Sequence, residues 1–239
     1  MSDALLTLPY CGVAPLPADL WSRWNLDPIV IGVLLAASLY ATRLPSRRAG
    51  YWLAALGVLF IAFVSPLCAL TSALFSARSV HHLLTATFAA PLLAMAIPQR
   101  SAGNILAPLL LSSLVLWLWH WPPVYAATFE SHGFYWALQL SLLGTFVWFW
   151  REALAPAAEP AASLLAIGAS AGQMGLLAAL LTLAPRPLYE AHALAPLNYG
   201  LDALRDQQIA GLFMWAPAFF IYAAFAIAAG RRLNLGAGA

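Results

Sequence analysis

Five histidines, two cysteines and a methionine two turns beyond an aspartate are the residues here whose types and spacing could do chemistry. His81 and His82 are adjacent. His120 sits in Trp117-Leu118-Trp119-His120-Trp121-Pro122-Pro123, and Asp206-Gln207-Gln208 opens a long apolar run containing Met214 and Trp215. A helix rises about 1.5 Å per residue, so Met214 falls roughly 12 Å along the axis from Asp206. Imidazole and thioether suit copper, and soft sulfur ligands select Cu(I). The candidate metal set is therefore His82, His120, Met214 and Asp206, with His81 as a further candidate. Neighbouring helical residues point roughly 100° apart, so only one of His81 and His82 is expected to face a given site. His82 is preferred, because Leu83 and Leu84 then take lipid or core faces less awkwardly. Plainer roles exist for each residue: an Asp in a first turn satisfies free amides, Met fills cores, and Trp marks a membrane interface. Cys11 and Cys68 match no zinc or thioredoxin spacing; a disulfide, a metal site or neither all remain open. With no Gly-x-Ser-x-Gly, no His-Glu-x-x-His and no pair of acids within a span, no catalytic residue is assigned and no enzyme is expected.

The elements that must position these groups are membrane helices. The chain is 63% hydrophobic and 8% charged, against about 25% charged in soluble domains. Seven stretches approach the roughly 20 residues that cross a bilayer: about 28–43, 51–67, 80–97, 104–121, 134–152, 161–183 and 207–230. The first is barely long enough and Pro66 closes the second. Proline-containing connections separate most of the others, as expected where helices stop. Gly168-Ala169-Ser170-Ala171-Gly172 reads as a small-residue packing face, with Gln173 bonding a neighbouring helix. The expected fold is all-α: one transmembrane bundle of seven helices over 1–239, with an outer N-terminal segment 1–27 and a long outer loop 184–206. No repeat or soluble domain is present, and the first residues lack the basic and apolar regions of a cleavable signal peptide.

Orientation follows from Arg placement, since the chain contains no Lys. With the N-terminus outside, inner loops hold Arg43, Arg47, Arg48, Arg100, Arg151, Arg231 and Arg232, and outer segments hold Arg23, Arg78, Arg186 and Arg205. Short inner loops rich in Arg favour N-out and C-in. All the histidines and both cysteines then fall on one side, in or just above the outer leaflet. Polar groups at membrane depth are costly and face the interior, which suits a gathered site. A net charge of +2 and a membrane location exclude nucleic acid as a partner.

Ser65-Pro66-Leu67, Phe75-Ser76-Ala77 leading to His82-Leu83-Leu84, Ala90-Pro91-Leu92-Leu93, Trp119-His120-Trp121-Pro122 and Asp206-Gln207-Gln208-Ile209-Ala210-Gly211-Leu212-Phe213-Met214-Trp215 follow one another in order. Together with Trp24-Asn25-Leu26-Asp27-Pro28 and Tyr40, this series resembles the CtaG family of cytochrome c oxidase assembly proteins over most of the chain. The resemblance implies a non-enzymatic, multi-pass protein of a bacterial cytoplasmic (inner) membrane. It would serve a respiratory haem–copper oxidase, with copper as a possible cargo. Where the family usually has His-Met before its third-helix histidine, this chain has Arg78 and Ser79, and His81 replaces a usual Gln. Ala137-Leu138-Gln139-Leu140 stands where the family carries a Glu-His pair. His81 or His132 would have to make up the missing ligands. Three other readings compete: a metal-free accessory subunit bound to the oxidase, a copper or small-solute transporter, and a haem protein with two axial histidines. Against transport, no ionised residue was expected deep in a span and no paired interrupted helices are evident.

Overall fold

In the computed structural model, residues 9–98 and 103–236 are described, and among them the chain is all helical, with no β-strand. Arg100 lies outside the described residues. The helices are α1 (Pro28–Tyr40), α2 (Ser46–Phe63), α3 (Pro66–Ala73), α4 (Phe75–Ala96), α5 (Leu106–His120), α6 (Pro122–Glu130), α7 (His132–Ala153), α8 (Pro160–Leu183) and α9 (Ala203–Gly236). Three of them, α4, α8 and α9, are long and apolar enough to cross a membrane, and α2 with α3 forms a further pair bent by 45°. Helices also occupy the other expected stretches, with α1 and α5 short and apolar. The sequence reading had no place for α3 and α6.

Prolines organise this pattern by starting helices rather than only stopping them. Pro28, Pro66 and Pro160 each sit in a first turn behind a side-chain cap, from Asp27, Ser65 and Glu159 respectively. Proline is favoured there because its missing N–H would have no helical partner. Thus Pro66 does not close the second span; it opens α3, which turns 45° from α2 and packs against the Leu20–Ser22 turn. Cys68 in α3 is joined to Cys11 by a disulfide, and Asn25 Nδ2 donates to the Phe63 carbonyl at 3.0 Å.

The centre of the bundle is α4, packed against α2, α7 and α9. Midway it widens into a π-helical segment, Leu84–Ala89, where the Ala90 N–H donates to the Thr85 carbonyl. The same five-residue pattern would pair the Ala86 carbonyl with residue 91, which is Pro and has no N–H. The indole Nε1 of Trp150 donates to that carbonyl at 2.9 Å, so a side chain of α7 repairs the gap. Gly211 of α9 lies against the backbone of α8. A Cβ built at Gly211 would meet Thr182 Oγ1, the Ala178 carbonyl oxygen at 2.7 Å and the Thr182 nitrogen at 2.9 Å. By contrast, Gly168 and Gly172 have open space where a Cβ would go. The close helix approach is therefore made by Gly211, not by the small-residue run at 168–172. Gln173 does bond a neighbouring helix, accepting from Trp117 Nε1 at 2.8 Å.

Candidate functional site

The polar head of α9 is a stitching point. Asp206 is fully buried, and its carboxylate accepts from the Phe75 amide at 2.6 Å, the Ser76 amide at 3.2 Å and the Ser76 hydroxyl at 2.5 Å. These are the free donors at the start of α4. The carboxylate thus caps a different helix from its own, across 130 residues of sequence. Gln207 adds a second tie, accepting from the Leu188 amide at 2.7 Å and donating to the Leu181 carbonyl at 3.2 Å. The loop after α8, the start of α4 and the start of α9 are locked together by two adjacent side chains.

That lock sets the first two turns of α4, and with them His81, His82 and Arg78. The helix begins at Phe75, five residues before the expected position, because Ser76, Arg78 and Ser79 are polar yet buried. Among the sequence-selected residues, His82 and His120 come together edge to face, with ring centroids 5.3 Å apart and planes 74° to one another. His81 turns the other way, edge-on to Phe63 at 4.7 Å, and its centroid is 6.3 Å from that of His82. Phe75 bridges the two ends of the site: its amide binds Asp206 while its ring lies 6.4 Å from His120. Met214 is buried too, within the apolar core beside α8. His132 is exposed and set edge-on to Tyr10 at 5.5 Å. No group of three or more His, Cys, Asp or Glu placed to hold one metal ion occurs among the described residues.

Hydrogen bonds fix the character of the two facing imidazoles. Trp119 Nε1 donates to His82 Nδ1 at 2.9 Å. An indole nitrogen can only donate, so the neutral His82 ring carries its proton on Nε2. His120 Nδ1 lies 2.9 Å from the Leu116 carbonyl, which can only accept. The His120 proton is therefore on Nδ1, and its Nε2 presents a bare lone pair. Both Nε2 atoms are buried and have no partner. The site holds one buried donor and one buried acceptor side by side, on rings held by a tryptophan and a backbone carbonyl.

Arg78, which the sequence reading placed in an outer segment, is inside α4 and 2% exposed. Four rings surround its guanidinium: Phe129 at 5.2 Å, Tyr135 at 5.5 Å, Tyr125 at 5.6 Å and Trp119 at 5.9 Å. Its Nε donates to the Tyr125 hydroxyl at 3.4 Å, its Nη1 has no partner, and among the described residues no carboxylate lies within ion-pair distance. Tyr125 in turn donates to His192 Nε2 at 2.6 Å, leaving Nδ1 to donate to the Ala73 carbonyl at 3.3 Å. In the loop, burial first and the Arg78 charge second push the His192 imidazole down to about 3. Beyond Arg-Ser standing where the resembled family has His-Met, nothing in the residue pattern pointed to this Arg78–Tyr125–His192 chain. Against transport, the premise that no ionised residue is buried in a span does not hold, because Arg78 is.

Over residues 29–109 and 100–234 the chain matches the family model described as cytochrome c oxidase caa3 assembly factor. No curated protein and no solved structure matches it.

Proposed function

The chain belongs to the family of cytochrome c oxidase caa3 assembly factors, and we propose that it passes copper to a haem–copper oxidase through the His82–His120 pair at the outer face of a bacterial cytoplasmic membrane. The role is that of an assembly factor, not an enzyme. One observation carries the copper reading: two buried imidazoles lie edge to face, 5.3 Å between centroids, with both Nε2 atoms unpartnered. Buried polar atoms are normally satisfied, and an orphan usually marks a function or an unseen partner. Imidazole is a good ligand for copper. His120 offers its lone pair as it stands. His82 can ligate through Nε2 only if its proton moves to Nδ1 and the Trp119 bond is given up, so uptake and release are coupled to a tautomer change. Met214 and His81 are the further candidates, while both oxygens of Asp206 are engaged in holding α4.

Seven spans with the N-terminus outside suit this reading. Helices overlap all seven expected stretches, and three of them, or four with α2 and α3 as one broken span, are long and apolar enough to cross a membrane. A disulfide joins Cys11, in the segment before α1, to Cys68 of α3, and disulfides persist in oxidising compartments. That supports an outer location for the end of the bundle that holds the histidines. The oxidase itself would be met through exposed aromatic and aliphatic helix faces.

The test is metal content and oxidase maturation together. Protein purified after growth with copper should carry it, and His120→Ala should lose it while remaining folded. Membranes from cells bearing His120→Ala should show haem a without a full complement of oxidase copper. If His82→Ala/His120→Ala cells assemble a normally metallated oxidase, copper transfer is wrong. A metal-free scaffold would then be the better reading, one that the absence of a three-ligand group among the described residues also favours.

A further inference from the structure

A second feature lies away from the histidine pair, on the flank formed by α1, α2 and α7. A cavity of about 390 Å³ is lined by Ile29, Val30, Val33, Leu34, Leu59, Phe63, Trp136, Leu140 and Leu143, with Asp27 and Gln139 as its polar members. Ile29, Val33 and Leu140 on its margin are strongly exposed, so the groove opens sideways, toward lipid if α1 and α7 span. Its inner wall is a stacked pair, Phe63 on Trp136 at 5.2 Å, with His81 behind Phe63.

Gln139 makes this more than an apolar crevice. It is 1% exposed, it lines the cavity, and neither its Oε1 nor its Nε2 has a hydrogen-bond partner. The Tyr135 phenol one turn back is near but does not satisfy either atom. A primary amide left unpaired in apolar surroundings is costly. It is placed to donate to one oxygen and accept from another on whatever fills the groove.

Depth and charge narrow the class of occupant. Gln139 is seven residues into α7, about 10 Å from its start at His132, which lies below the charged lipid headgroups if α7 spans with His132 at the interface. No basic residue lines the cavity, and the polar group at its mouth is Asp27. Burial would push that carboxyl up, but hydrogen bonds from Tyr10 and from the Ile29 and Val30 amides hold it below the usual range. An anionic headgroup is therefore unwelcome. What fits is an uncharged ring bearing carbonyl or hydroxyl oxygens at mid-leaflet depth, with an apolar tail leaving along Leu140 and Leu143.

We propose that this groove binds a membrane quinone or quinol, with Gln139 as the hydrogen-bonding contact to its head oxygens. The groove is separate from the His82–His120 pair, so this inference goes beyond the copper reading and does not depend on it.

The full chain, purified in mild detergent, should yield a quinone on organic extraction. After delipidation, in phosphatidylcholine nanodiscs, it should bind a radiolabelled short-chain benzoquinone saturably. Gln139→Leu keeps the volume and removes the amide. It should weaken binding about three- to tenfold, the worth of one or two neutral hydrogen bonds, without lowering the melting temperature of the empty protein. Leu143→Phe, which narrows the groove, should weaken binding while Gln139 is intact. Extraction of phospholipid alone with no saturable quinone binding overturns the proposal. So does a Gln139→Leu protein that binds as wild type.

Discussion

Replacing Asp206 tests most directly how the site is built. Asp206→Ala removes one side chain but strands the Phe75 amide, the Ser76 amide and the Ser76 hydroxyl, all within a fully buried contact. Loss of a helix cap costs about 1 kcal/mol, and each buried donor left without a partner costs about 1–3 kcal/mol. The Ser76 hydroxyl can rotate toward a backbone carbonyl, so two stranded amides dominate, and the total comes to about 3–5 kcal/mol. Asp206→Asn keeps one acceptor oxygen but points an NH2 at a donor, for a loss of about 2 kcal/mol. The order wild type, Asn, Ala should appear in thermal melts of the detergent-solubilised protein followed by tryptophan fluorescence. Unfolding in mixed micelles then gives free energies. A double-mutant cycle with Ser76→Ala should show coupling of about 1–2 kcal/mol, because the two side chains share one bond. Melts of both Asp206 variants that coincide with wild type, with no coupling to Ser76, would refute the capping role. The carboxylate would then be free to act as a metal ligand.

Gly211→Ala should destabilise by about 1–3 kcal/mol through overpacking against the backbone of α8, while Gly172→Ala, with open space at its Cβ, should be neutral or better in the same melt. Reducing the Cys11–Cys68 disulfide, which closes 57 residues, should cost about 4 kcal/mol, seen as a lower melting temperature in dithiothreitol that Cys68→Ser reproduces without reductant. The His192 imidazole is pushed down to about 3 by burial and by Arg78, so the unfolded chain binds a proton there that the folded one does not. Its stabilising effect is full above the unfolded value near 6.5 and is withdrawn as pH falls toward 3. Acidifying from pH 7.5 to 4.5 should remove on the order of 2–3 kcal/mol through this group, and His192→Gln should flatten that slope. Arg78→Met should raise the affinity for divalent Zn²⁺ more than for Cu(I), as read by equilibrium dialysis, since the guanidinium charge opposes a divalent ion more strongly.

The all-helical character of the chain was legible because composition decides it, and six of the seven apolar stretches lie within five residues of a helix end at both sides. That only one of His81 and His82 faces His120 was legible from the helical angle, while the choice of His82 rested on where Leu83 and Leu84 would then fall. What was not legible comes from tertiary satisfaction of polar groups. Ser76, Arg78 and Ser79 read as loop because they are polar, but an aspartate 130 residues away supplies their helix with its cap. Pro66 read as a stop, though behind a serine cap it works equally as a start. Pro91 gave no hint of the π segment, since the repair is made by an indole from another helix. Periodicity sees one helix at a time, and each of these features needs two.

Arg78 is where the two levels meet. A buried cation with no carboxylate beside it costs several kcal/mol, and cation–π contacts return about 0.5–2 kcal/mol each, so four rings roughly offset the burial. The rings cannot neutralise the charge, however. It stays as a fixed positive field beside the imidazoles, strongest where water is excluded. An ion brought to His82 and His120 must enter against that field, and the opposition scales with the ion's own charge. The same arginine that stands where the resembled family carries a histidine therefore removes a ligand and also biases the remaining pair toward a monovalent guest. Weak, monovalent-selective holding is what the proposed transfer of copper would require.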